Sequence, residues 1–340
     1  MQKDSEILIK ILDLPETKSS KIATVLNTVT LYRLNPYISI VRDNDDLFNN
    51  LKASNNGIKD KWDAIIELYR YNMRLSISLY PHISILENVL KAKIDSCLTK
   101  KYGDNWCFEY DLIFKKLEFT DLDKKLYYKF HNQSINKDIR NRIYKIYERK
   151  NPTLTKSKIK SKIQKIKYCC SIITEAKEYQ KSRGKTAKQV DFVETRPTFN
   201  YWLDILSIEK LFLNDEGEID IRDIFESLSL LKYDPSEGAL KHISKKLDDI
   251  RNLRNYISHH RQIIGNKAIE NRSLLQIYNN IIEILNVLGC EDVEWMIGDL
   301  QCQPNDAGCI GNTFDVLYKK YEFIHDIEIK AKGIKEFTTA

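Results

Sequence analysis

The chain has 340 residues, 42% of them hydrophobic and 30% charged, a balance that suits a globular protein with a substantial buried core. Glycine (11) and proline (7) are scarce, which favours long helices over a many-turned β architecture. The net charge of +6 is compatible with a polyanionic partner such as nucleic acid, though a Lys-, Ile-, Asn- and Tyr-rich composition also arises from AT-rich coding; no apolar run approaches the length of a membrane span.

Residues 1–58 read as an N-terminal helical extension of short helices and loops, broken by Asn and Asp clusters at 44–50 and 55–57. Its opening, MQKDSEILIKILDLPETK, has no long apolar region after a basic start, so no secretory signal is expected. Lys59 to Tyr102 is strongly helical in pattern. In ISLYPHISILENVLKAKIDSCL the apolar positions Ile83, Leu86, Leu90 and Ile94 recur at three- and four-residue steps. Pro81 suits the first turn of a helix that Tyr102–Gly103 closes. Glu87 lies close to that stripe: it is either a surface residue at the seam or a semi-buried carboxylate in need of a cation.

Residues 106–195 read as a helical insertion. Within it Lys150, Lys156, Lys158, Lys160, Lys162, Lys165 and Lys167 have no acid among them, while Ile159, Ile163 and Ile166 supply an apolar stripe. A basic amphipathic helix of this kind binds RNA phosphates or anionic lipid, or is simply a well-solvated face. KSRGKTAKQ after it has the composition of an exposed loop. A second helical block is expected after Arg196–Pro197, running through YWLDILSIEKLFL and breaking at 214–217. DPSEG at 234–238 reads as a turn and N-cap. The next helix carries Ile243, Leu247, Ile250, Leu253 and Ile257 on one side, with Gly265 as its stop. Residues 291–340 read as a C-terminal helical extension. No stretch alternates with period two long enough to require a sheet, so the expected fold class is all-α.

The seven cysteines form no C-x-x-C pair and have no paired histidines near them at zinc-ligand spacing, so neither a metal nor a cofactor is expected. Reduced thiols in a cytoplasmic protein follow, with Cys169 and Cys170 as core fillers.

The stretch RNLRNYISHHRQII, 251–264, gathers arginines around two of the chain's six histidines. On an ideal wheel Arg254 sits at the edge of the apolar stripe, with Asn255 about 100° and His259 about 140° around from it. Side chains so separated meet one small target only if the helix bends or a second copy contributes. An arginine at an apolar seam pairs with a carboxylate or waits for an anion. Histidine gives and takes a proton near neutral pH, and the arginine fork holds two phosphate oxygens. Together they suffice to cleave RNA through its own 2′-hydroxyl. The alternative is an interfacial helix with ordinary surface histidines.

LRNYISHHRQI resembles the R-x4-6-H signature of HEPN ribonucleases and, in fuller form, the RN-x-x-x-HH-R stretch of the bacterial Abi-like (abortive infection) proteins, with Asn266 matching the family's following asparagine. AIIELYRYNMRLSISLYPHISILENVLKAKIDSCLTKKYGDNW is similar to that family's N-terminal half, with landmarks on Arg74, Glu87, Tyr102, Gly103 and Trp106; RPTFNYWLDILSIEKL resembles its central P-x-W segment, with Trp202 in place. The likeness covers residues 30–105 and 195–270; it departs at Lys91, where the family has arginine, and in lacking the central FG.

The resemblance implies a HEPN-like helical bundle, its core formed by 59–105 and 196–290, acting as a homodimer in which two motifs face one cleft. It implies a metal-independent endoribonuclease in antiphage defence, with a phage-derived trigger. His259 would be the general acid/base, Arg254 the phosphate clamp and Asn255 the positioner. Glu87 would orient Arg254, while His260 and Arg261 would support RNA contacts. Lys156, Lys158, Lys160, Lys162 and Lys165 would bind RNA. The competing readings are a non-catalytic module that binds a small non-coding RNA and a structural dimerisation protein.

Overall fold

The computed structural model describes residues 2–131, 135–195, 198–217, 219–226, 239–264, 273–290 and 314–325. Among them the fold is all-α. The β-type pairing among the described residues is one isolated antiparallel bridge between Leu213 and Ile219. The helices are α1 (Gln2–Leu12), α2 (Ser19–Thr28), α3 (Leu31–Asp43), α4 (Asp45–Ser54), α5 (Lys61–Tyr102), α6 (Tyr110–Lys116), α7 (Asp121–Phe130) and α8 (Lys137–Lys150). There follow α9 (Lys156–Arg183), α10 (Gln189–Thr195), α11 (Phe199–Leu206), α12 (Ala239–Ser258), α13 (Leu274–Val287), α14 (Phe314–Lys320) and α15 (Glu322–His325). None of these helices is long and apolar enough to cross a membrane. The 234–238 turn, Arg196–Pro197, Gly265, Asn266, Cys302, Cys309 and most of 291–340 lie outside the described residues.

Two compact units divide the chain, one drawn from 1–84, 249–283 and 291–340, the other from 85–248 and 284–290, so α5, α12 and α13 each contribute to both. Each unit draws on more than one of the four sequence segments.

In the first unit α1 packs on α2 and α3 on α4. The expected break at 44–50 narrows to one residue. Asn44 is the N-cap of α4, its side chain accepting from the Leu47 amide at 2.8 Å, and Asp45 to Asn50 continue as helix with two acids in the first turn. At 55–57 the break is real, with Asn55 Oδ1 accepting from the Gly57 amide at 2.9 Å. Pro81 does not start a helix, because α5 runs through it. Proline deprives the Ile77 carbonyl of its amide donor. The helix persists because Leu75, Leu79 and Ile83 are buried on either side and tertiary packing outweighs the lost bond. His82 Nδ1 donates to the Ser78 carbonyl at 3.1 Å, and its ring meets Tyr278 edge-on. Tyr71 links α5 to the last two helices: its hydroxyl bonds the Tyr318 carbonyl at 3.3 Å and His325 Nε2 at 2.9 Å.

In the second unit α9 is the central helix, packed by α6, α7, α8 and α11. Cys169 and Cys170 are buried on it, and burial pushes the Cys170 thiol up to about 12. Tyr102, Gly103 and Trp106 end α5: Gly103 takes φ +82° with its amide on the Thr99 carbonyl at 2.8 Å, and the buried Trp106 ring donates to Asp95 at 3.0 Å. YWLDILSIEKLFL is not one helix. α11 stops at Leu206 and a short 3₁₀ turn covers Glu209–Phe212. Little of KSRGKTAKQ is loop: α9 reaches Arg183, a 3₁₀ turn covers Gly184–Thr186, and α10 begins at Gln189, whose buried amide donates to Asp95 and Thr99 at 2.8 Å each.

Candidate functional site

Ile243, Leu247, Ile250, Leu253 and Ile257 are all buried, which fixes the rotation of α12. The helix does not continue to Gly265. It ends at Ser258, and the chain leaves through a turn made by the two histidines and the arginine. The His259 amide still bonds the Asn255 carbonyl at 3.1 Å; the His260 amide bonds Ile257 at 2.9 Å and the Arg261 amide bonds Tyr256 at 2.8 Å. This is the Schellman pattern, in which the residue after the C-cap takes the left-handed region. Glycine normally fills that place. Here it is His260, at φ +50°, a residue type that tolerates the region better than most. The Arg261 guanidinium lies 5.7 Å from the centre of the Tyr256 ring, closing the turn over the last helical residues.

Helical placement therefore extends through His259, whose amide keeps its bond to Asn255, and is lost at His260. Arg254 and Asn255 are half-buried on the last turns of α12, while His259, His260 and Arg261 are exposed on the turn beyond it. Cationic side chains at this end of a helix also complement its negative pole, which is the structural role they have in any case. Glu87 is half-buried and belongs to the second unit, whereas Arg254 to Arg261 belong to the first. Lys91, in the family's arginine position, donates to the Glu194 carbonyl at 3.4 Å.

One residue absent from the sequence reading holds the motif's outgoing strand. Asn72 of α5 is buried; its Oδ1 accepts from the amides of Ile263 at 2.7 Å and Ile264 at 3.3 Å, and its Nδ2 donates to the Arg261 carbonyl at 3.3 Å. An asparagine on the apolar side of a helix was the available signal, because a polar group buried there needs partners.

The five lysines of the basic helix divide. Lys156, Lys158 and Lys160 are exposed. Lys162 instead bonds Asp123 at 2.8 Å, and Lys165 donates to the Leu117 carbonyl at 3.2 Å. Asp123 is buried and also receives the Tyr147 hydroxyl and the Thr120 amide, the latter at 2.8 Å in a capping box. Burial works against its charge, but the bonds from Lys162, Tyr147 and Thr120 outweigh it and hold the carboxyl below its ordinary value. No acid lies near Lys162 in sequence; the tertiary fold brings one from α7.

Among the described residues no group of three or more His, Cys, Asp or Glu side chains is placed to hold a metal ion. A cavity of about 340 Å³ in the first unit is lined by Lys21, Asn55, Trp62, Asp63, Glu67 and Arg70 among others, and includes none of the motif residues. No protein-family model matches this chain, and neither a curated protein nor a solved structure does.

Proposed function

We propose that this chain is a metal-independent endoribonuclease of the HEPN type, working as a homodimer in antiphage abortive infection. The observation that carries the reading is the placement of an exposed histidine, His259, at the C-cap of the helix whose last turns bear Arg254 and Asn255. An acid/base must be open to a substrate, and an anion clamp gains strength from partial burial.

In the proposed reaction His259 takes the proton of an RNA 2′-hydroxyl, whose oxygen attacks the adjacent phosphorus. The bond from phosphorus to the 5′-oxygen breaks, and that oxygen receives a proton as it leaves. The products are a 2′,3′-cyclic phosphate and a 5′-hydroxyl. Arg254 stabilises the charge that builds on the phosphate oxygens, Asn255 positions the phosphate, and His260 and Arg261 contact the flanking RNA.

The test is cleavage of RNA by His259→Ala and Arg254→Ala. Losing a positioned acid/base lowers the rate by about 10²–10⁴-fold, with folding retained. Near-wild-type cleavage by both variants defeats the catalytic reading. The second reading, a non-catalytic binder of a small RNA, is favoured by the exposed Lys156, Lys158 and Lys160. It predicts salt-sensitive RNA binding without cleavage.

A further inference from the structure

The turn through His259, His260 and Arg261 contains no glycine, yet its closure needs a left-handed residue. A side chain at φ +50° is disfavoured, and such a conformation persists where the surroundings hold it. Just downstream, three backbone groups of 261–264 are all bonded by the single side chain of Asn72. Ile263 and Ile264 are buried, so their amides have no exposed water to turn to. Only a primary amide meets these demands together: its oxygen takes two amides while its nitrogen donates to a carbonyl. Aspartate supplies the acceptors alone and faces the Arg261 carbonyl with negative charge. Alanine supplies neither.

We propose that Asn72 is the positioning residue for the His259–Arg261 turn. With α12 ending at Ser258 and 261–264 held to α5, both ends of the short link between them are anchored, and this restricts where the His259 ring is presented. The catalytic consequence of the clamp depends on the ribonuclease reading. The clamp itself does not.

The test compares the full chain with Asn72→Ala and Asn72→Asp by amide hydrogen exchange, by the ring chemical shifts of His259 and His260, and by kcat and KM for RNA cleavage. In Asn72→Ala, exchange at Ile263 and Ile264 should accelerate on the order of ten- to hundredfold, the cost of leaving a buried amide unpaired. Both histidine rings should shift, and kcat should fall tenfold or more with KM little changed. Asn72→Asp should keep the two amides protected and give a smaller displacement of the rings and a smaller loss of kcat. Unchanged exchange in Asn72→Ala overturns the proposal, as do raised exchange with unmoved ring signals and moved rings with undiminished kcat. Should Asn72→Ala fail to fold, Asn72→Asp decides, because unmoved rings in that variant overturn the proposal equally. A wild-type chain that cleaves no RNA removes the ribonuclease reading alone, since exchange and ring shifts judge the clamp without substrate.

Discussion

Lys162 offers a test in which a single substitution separates a fold role from an RNA role. Lys162→Met keeps the aliphatic stem and removes the charge, leaving the Asp123 carboxylate, its side chain 3% exposed, without its cation. Breaking a buried pair in this way costs about 3–5 kcal/mol. Two features reduce that here. The Lys162 side chain is itself 25% exposed, and Asp123 keeps the Tyr147 hydroxyl and the Thr120 amide. A loss of about 2–3 kcal/mol at pH 7 is therefore expected, read as a lower urea midpoint at unchanged slope. The sign with pH follows from the lowered carboxyl: its contribution is complete above the unfolded value and disappears as pH falls through the folded one, so the deficit of Lys162→Met should shrink in acid. Lys158→Ala, at an exposed position on the same helix, should change stability by no more than about 0.5 kcal/mol. RNA binding should give the reverse order, with Lys156, Lys158 and Lys160 each adding about 0.7 unit to the steepness of log K against log salt on a single strand and Lys162 nothing. A Lys162→Met protein as stable as wild type, or one with a reduced salt slope, refutes the assignment of Lys162 to the fold.

Cleavage should survive EDTA and leave cyclic-phosphate or 3′-phosphate ends; products with 3′-hydroxyl ends would require another nucleophile than the 2′-hydroxyl. Burial, reinforced by Asp204, pushes the Glu175 carboxyl up to about 7, so its stabilising contribution is complete below about 4.5 and is lost as pH rises through 7. Urea unfolding between pH 5 and 8 should show a decline on the order of 1–3 kcal/mol that Glu175→Gln flattens, and an equal decline in the variant would assign it elsewhere. Excess Arg254→Ala/His259→Ala protein, mixed with wild type under subunit exchange, should suppress activity below simple dilution, and full activity of wild-type subunits in verified mixed dimers would place the site within one chain.

What was legible in the sequence was periodic. The stripe from Ile243 to Ile257 and that from Ile83 to Ile94 are buried as the spacing requires, because a helical face in a core leaves a repeated mark on the chain. Punctuation was less legible. Pro81 and the Asn/Asp cluster at 44–50 carry breaker chemistry, but each is overruled by apolar residues around it, such as Leu79 and Ile83 or Leu47 and Leu51. The opposite error occurred at Ser258, where a helix ends with no glycine or proline to mark the place. Its stop is a Schellman turn with His260 in the place glycine usually takes, so the usual marker is missing, and the Asn72 bonds to the segment beyond it come from a helix distant in sequence. The Lys162–Asp123 pair was hidden for the same reason.

The early end of α12 bears on what a second subunit is needed for. On one straight helix the angle between Arg254 and His259 lets both meet one phosphate only if the helix bends or a second copy contributes. His259 is instead the C-cap, and the backbone beyond it turns through a left-handed residue before it reaches the clamp. Its amide nonetheless keeps the helical bond to Asn255, so the ring sets out in roughly its helical direction and the angle from Arg254 persists. The proposed dimer therefore has the support of this angle beside that of the resemblance. A mixed-dimer experiment accordingly tests both the angle argument and the HEPN assignment.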